Sequence, residues 1–154
     1  MKIIETPLKD CYIIEPTVFE DDRGYFYEKY NETRFEELTG MNGHFVQDNI
    51  SKSSYGVLRG LHLQKGEHAQ AKLVSCLEGK VWDVAVDLRK DSPTFGKWFG
   101  VELTAENKIQ FYVPRGFGHG FSVLSETAVF SYKCDNFYNK AAEGGVLWND
   151  PDLN

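Results

Sequence analysis

Hydrophobic and polar positions alternate in short runs along most of this chain. Strand-like runs fall at 3–5, 11–15 and 25–30, then at 44–48, 56–64, 70–77, 80–88, 97–103, 108–113, 119–124 and 127–134. Turn chemistry separates them at Glu20–Gly24, Ser53–Gly56, Lys65–Glu67, Glu78-Gly79, Asp91–Pro93 and Pro114–Gly116. One stretch has helical character: Asn31 is placed as an N-cap, Arg34–Leu38 follows, and Gly40 ends it. Strands at roughly 8–12-residue spacing argue for an all-β sandwich or barrel, with one short helix near residues 31–39. The Glu78-Gly79 pair between two long runs predicts a tight hairpin.

Alternation also assigns faces. Gln70, Lys72, Val74 and Cys76 share one; Val81, Asp83, Ala85 and Asp87 share another; Ala128, Phe130, Tyr132 and Cys134 a third. The run 57–64, Val-Leu-Arg-Gly-Leu-His-Leu-Gln, is too polar for a strand that only builds core. In it Arg59 and His62 have opposite parity. Both reach one pocket only if the strand bulges or twists at Gly60.

The 154 residues are enough for one domain, 1–154, with a sizeable core. A net charge of −6 argues against nucleic-acid binding, which needs a basic footprint, but leaves an anionic small ligand open. Cys11, Cys76 and Cys134 form no disulfide framework, which fits free thiols in a reducing compartment. No apolar run reaches membrane-spanning length and the N-terminus lacks a signal-peptide core, so a cytoplasmic location is expected, with no membrane partner.

Several polar groups have chemistry to offer. A strand histidine between two leucines is ordinarily a core residue. His62, however, lies close in sequence to Arg59, Gln64 and Lys72, and a neutral imidazole is suited to removing a proton near pH 7. Lys72 on an inward face would stabilise negative charge on an oxygen, and Asp83 or Asp87 would pair with it or orient His62. Tyr132 would return a proton from the face opposite His62, and Tyr138 would stack on a base. The glycine-rich run Gly116–Phe121 precedes a strand rather than a helix, so it is not a dinucleotide loop; its His119 marks a tight corner or a phosphate or sugar contact. His62-Leu63-Gln64 offers one imidazole where the His-x-His metal site of a small β-barrel needs two, so no metal is expected.

Read together, Phe19–Phe26, Phe45–Ser51, Leu58–Gln64, Gln70–Val74, Trp82–Arg89, Pro114–Phe121 and Tyr132–Cys134 resemble the dTDP-4-dehydrorhamnose 3,5-epimerase family, a cupin-type jelly roll. The blocks come in the family's order over nearly the whole chain, with Gly118 where the family commonly has Ala. The resemblance implies metal- and cofactor-free inversion of C3 and C5 of a 4-keto-6-deoxy sugar carried on thymidine diphosphate. It implies His62 as base, Tyr132 as acid and Lys72 at the C4 oxygen. Arg23, Glu28, Gln47, Asp48, Asn49, Arg59, His119 and Glu143 would bind substrate, with Tyr138 on the thymine. It also implies a homodimer with exchanged N-terminal strands, each pocket borrowing residues from its neighbour. Members of the family continue into a C-terminal helical segment whose Ser-x-Lys-Asp run orients the catalytic histidine; this chain is expected to lack it, leaving Asp83 as the candidate orienting carboxylate. A single-centre or different-nucleotide epimerase, and a non-catalytic nucleotide-sugar-binding cupin, stay open beside this reading.

Overall fold

The computed structural model describes residues 1–153. Its strands are β1 (Lys2–Glu5), β2 (Tyr12–Glu15), β3 (Val18–Asp21), β4 (Gly24–Tyr27), β5 (Gln47–Ser54), β6 (Leu58–Gln64), β7 (Lys72–Glu78), β8 (Lys80–Asp87), β9 (Trp98–Thr104), β10 (Gln110–Val113), β11 (Phe117–Val123), β12 (Thr127–Cys134) and β13 (Glu143–Gly145), with the helix α1 (Glu32–Thr39) before β5. A six-stranded sheet, β1-β2-β10-β7-β12-β5, and a five-stranded sheet, β13-β6-β11-β8-β9, form the jelly roll, and β3 and β4 pair apart from both.

Strand alternation places two cores around the six-stranded sheet. Phe111 lies opposite Val74, and both join the core between the sheets; the next pair, Tyr112 and Leu73, points the other way. That second face is covered by Phe35 of α1, whose ring meets Tyr112 at 5.2 Å and Phe45 at 5.8 Å. The helix forms where the sequence places it. Asn31 Oδ1 accepts the Arg34 N–H at 3.0 Å, and Gly40 closes the helix in the left-handed region at φ 70°.

Two expectations are corrected. Glu78-Gly79 is not a hairpin, because β7 belongs to the six-stranded sheet and β8 to the five-stranded one. The pair is a corner at which the chain changes sheets. Gly79 has φ 79°, and a Cβ there would stand 2.2 Å from the Thr127 carbonyl oxygen. The strand expected at 44–48 instead runs from Gln47 to Ser54. The strands β3 and β13 were not anticipated.

The bulge expected at Gly60 is present. His62 lies opposite His119 and Arg59 opposite Phe121, so three steps on β6 span two on β11. Gly60 sits at φ 121°, and a Cβ would meet Gly120 Cα at 2.5 Å and the His119 oxygen at 2.7 Å. The Gly60–Leu61 peptide bond is cis. The three cysteines are free and buried, and no helix among the described residues is long and apolar enough to cross a membrane.

Candidate functional site

Between the sheets opens a cleft of about 490 Å³, lined by Arg59 and His62 of β6, His119 of β11, Lys72 of β7 and Phe130 and Tyr132 of β12. A smaller pocket of about 120 Å³ adjoins it, lined by Gln47, Asn49, Gln64, Tyr138 and Glu143. His62, Lys72 and Tyr132 line both. The bulge makes this grouping work, since it puts Arg59 and His62 on one wall although they are of opposite parity.

The walls carry different chemistry. On the five-stranded side, the His62 ring makes no hydrogen bond to any described residue and stays open to the cleft. Arg59 is anchored, its Nε donating to Ser53 Oγ at 3.2 Å. On the six-stranded side, Tyr132 stands beside Lys72, whose Nζ lies 5.7 Å from the ring centroid. Burial raises the Tyr132 hydroxyl above the usual tyrosine pKa, so it is a protonated donor at neutral pH. Burial lowers the Lys72 ammonium, while Cys134, Asp83 and Glu143 pull it back. Lys72 forms no ion pair among the described residues, so its charge is free to meet a ligand oxygen.

Asp83 is fully buried and binds His119 Nε2 through both oxygens, at 2.8 and 3.0 Å. Burial raises its pKa, and His119 and Lys72 counter this. The expectation that Asp83 orients His62 is therefore corrected: its carboxylate is committed to His119, which also packs on Phe130.

Other expected site residues divide in two. Gln47, Asn49, Tyr138 and Glu143 come together around the smaller pocket. The Tyr138 N–H donates to Gln47 Oε1 at 3.1 Å, the Tyr138 hydroxyl donates to Glu143 Oε2 at 3.2 Å, and Gln47 Nε2 donates to Asn49 Oδ1 at 3.2 Å. Asp48 is not with them. Alternation turns it to the outer face of β5, where it pairs with Lys133 at 3.0 Å. Arg23 and Glu28 do not line this chain's cleft either. Arg23 sits at the tip of the β3–β4 hairpin, paired with Asp21 at 2.6 Å, and Glu28 pairs with Arg34 at 3.0 Å.

Residues the sequence reading did not pick out are Ser51 on the cleft wall and Ser53 behind Arg59. Their signal was a period of two in polar residues, Gln47, Asn49, Ser51 and Ser53, all facing inward on β5. Among the described residues, no group of three or more His, Cys, Asp or Glu side chains is arranged to hold a metal ion. His44 lies on the surface, 3.7 Å from Glu32.

A larger cleft, about 640 Å³, lies along Trp82, Trp98 and Trp148. Its lining is mostly apolar and contains Asp150 but no histidine, lysine or tyrosine, so it lacks the paired base and donor that the other cleft offers.

Known proteins share this arrangement of sheets. The chain is 84% identical to a crystal structure of dTDP-4-dehydrorhamnose 3,5-epimerase from Elizabethkingia anophelis, with a TM-score of 0.97 over 99% of this chain and 84% of that one. It is 53% identical to dTDP-6-deoxy-D-glucose-3,5-epimerase from Legionella pneumophila, solved in complex with dTDP-4-keto-L-rhamnose, with a TM-score of 0.95 over 99% of this chain and 80% of that one. It is 59% identical to dTDP-4-dehydrorhamnose 3,5-epimerase of Salmonella typhimurium over 97% of this chain and 82% of that protein. With residues 5–154 matching the family's sequence model, the chain belongs to the dTDP-4-dehydrorhamnose 3,5-epimerase family.

Proposed function

We propose that His62 and Tyr132 are the base and the acid of a dTDP-4-dehydrorhamnose 3,5-epimerase, with Lys72 stabilising the charge that forms between their steps. The observation that carries this reading is that His62 and Tyr132 line one cleft from opposite sheets, with Lys72 beside the tyrosine. Inversion needs that geometry. A C–H next to a ketone is acidic because its carbanion is an enolate, so a base on one face must be joined by charge stabilisation at the ketone oxygen. A donor on the other face then delivers the proton with inverted configuration.

Both C3 and C5 of a 4-keto sugar flank the same ketone. One cation at the C4 oxygen therefore serves both inversions, and Lys72, which has no ion pair among the described residues, stands in the cleft beside Tyr132. No redox step and no covalent intermediate is required by this chemistry.

The nucleotide follows from what lies around the reacting groups. Arg59, fixed by Ser53, suits a diphosphate through directed hydrogen bonds. Tyr138 stacks on the thymine, with Gln47, Asn49 and Glu143 beside it. Arg23 belongs to the same site only in a homodimer. The β3–β4 hairpin exposes Phe19 at 63% and Phe26 at 69%, pairs apart from both sheets and lends no residue to its own cleft. In our reading the hairpins are exchanged, each carrying Arg23 and its aromatics to the partner's cleft. The enzyme works in the cytoplasm on soluble sugar nucleotides.

The test is product analysis by NMR after incubation with dTDP-4-keto-6-deoxyglucose. Inversion at both C3 and C5 is expected. A product inverted at one centre would make this a single-centre epimerase, and an unchanged sugar with intact dTDP binding would leave only a binding protein.

A further inference from the structure

Gln64 ends β6 with 5% of its surface exposed, and no step described above uses it. Its amide is engaged at both ends. Nε2 donates to the carbonyls of His68 at 2.7 Å and Phe137 at 3.2 Å, and Oε1 accepts the Asn139 N–H at 2.8 Å. Phe137 and Asn139 are the two neighbours of Tyr138 in the chain. The Tyr138 N–H is itself held by Gln47, at 3.1 Å. Successive main-chain groups around Tyr138 are thus clamped by two glutamines, one from each sheet.

The Tyr138 ring needs such a clamp. It is 56% exposed, and its one side-chain hydrogen bond goes to Glu143, itself an exposed residue. A ring that must offer its face to a ligand cannot be fixed by packing on that face, so its position has to come from the backbone. The start of the loop is stitched down independently. Asp135 accepts the Ala71 N–H at 2.7 Å, Gln70 Nε2 donates to the Asn136 carbonyl at 2.9 Å, and Asn136 Nδ2 donates to the Glu67 carbonyl at 2.9 Å. Beyond those stitches Gln64 bonds the main chain on both sides of Tyr138 to β6, beside a contact of Asn139 Nδ2 with the His68 ring at 3.3 Å and ahead of the β13–β6 pairing. Its residue type follows from the task. A carbonyl and an N–H two residues apart are both satisfied by a primary amide, while a carboxylate lacks the donor, an ammonium lacks the acceptor, and an apolar side chain lacks both.

We propose that Gln64 is a positioning residue that fixes the Tyr138 ring for stacking on the nucleobase, through the main chain on either side of it. This rests on the reading of Tyr138 as the base-stacking residue. Gln64 occupies the third position of His62-Leu63-Gln64, where a His-x-His metal site would place its second imidazole. Here that position serves substrate binding from behind the pocket wall.

The test compares Gln64→Leu, Tyr138→Ala and the double variant, using dTDP titrations by calorimetry and steady-state kinetics on the full chain. Gln64→Leu is expected to weaken dTDP by about tenfold, the scale of one or two lost hydrogen bonds. It should raise KM for the nucleotide sugar by a similar factor while kcat changes by less than about threefold, since His62, Lys72 and Tyr132 are not touched. Because both changes act on one ring, adding Gln64→Leu to Tyr138→Ala should weaken dTDP no further. If Tyr138→Ala weakens dTDP and Gln64→Leu does not, or if the two losses add, the positioning role is wrong and the stacking reading stands. If Tyr138→Ala leaves dTDP affinity unchanged, the stacking reading fails and takes this inference with it. Should Gln64→Leu lose its cooperative melting transition, Gln64→Glu goes through the same cycle. It keeps an acceptor for Asn139 and loses both donors, so a raised KM is again expected and an unchanged KM overturns the proposal.

Discussion

At the scale of single residues, the site trades stability for function. Lys72 is held partly buried without an ion pair among the described residues, in a position that penalises its charge. Lys72→Met removes that penalty with little change of shape. Its melting temperature should equal or exceed the wild type's, while kcat falls by about 100-fold or more, the usual cost of losing a charge-stabilising group. Unchanged turnover in this variant would remove Lys72 from the C4 oxygen. Asp87 shows the opposite design. Burial would raise its carboxyl, but hydrogen bonds from Arg89, Ser92 and Thr94 outweigh this and bring its pKa from 3.8 to about 2. A depressed folded pKa gives stability that is present above the unfolded value and lost as pH falls through the folded one. Asp87 should therefore contribute roughly 2 kcal/mol at neutral pH, a contribution that fades between about pH 4 and pH 2. Asp87→Asn should unfold more easily in urea at pH 7 and lose less stability than the wild type on acidification; parallel losses would refute the assignment.

At the scale of elements, Gly60 is where sequence and site meet. A side chain there is strained at φ 121° and collides with the backbone of Gly120. Gly60→Ala should cost at least 1–3 kcal/mol and also lower kcat/KM, because the bulge sets Arg59 and His62 on one wall. Destabilisation with full activity per folded molecule would show that the bulge is not what aligns them. This element was legible beforehand, since opposite parity in one pocket demands an irregular strand. The helix was legible from its caps. What was not legible had physical causes. On β5 the usual pattern is inverted: the inward residues Gln47, Asn49, Ser51 and Ser53 are polar because they face a ligand cleft, and Ile50 points out, 70% exposed. A search for buried apolar positions passes over such a strand. The Glu78-Gly79 corner reads like a hairpin because the same glycine that permits a tight turn also permits a change of sheet, and only long-range pairing tells the two apart. Asp83 was placed correctly on an inward face, but its partner could not be read from β8 alone, since His119 comes to it from the neighbouring strand β11.

At the scale of the whole molecule, the chain carries a net charge of −6 while Arg59, Lys72, His62 and His119 gather basic side chains in one cleft suited to an anionic sugar nucleotide. The exposed aromatic hairpin carries the proposal of an exchanged dimer, and subunit complementation tests it. On this reading His62→Ala and Arg23→Ala should each disable every site in their own homodimers. Refolded together, they form mixed dimers in which the His62→Ala chain lends an intact hairpin to the other chain's intact cleft. Activity should return to about a quarter of the wild-type rate per chain, the share expected for random pairing with one working site per mixed dimer. No recovery would mean that Arg23 acts in its own chain's cleft or not at all.

The central claim is that one imidazole starts both inversions, and solvent exchange tests it most directly. Wild-type protein, incubated with dTDP-4-keto-6-deoxyglucose in deuterated water, should place deuterium at both C3 and C5, and folded His62→Ala should place it at neither. Exchange at either carbon by His62→Ala at a rate near the wild type's would contradict the account.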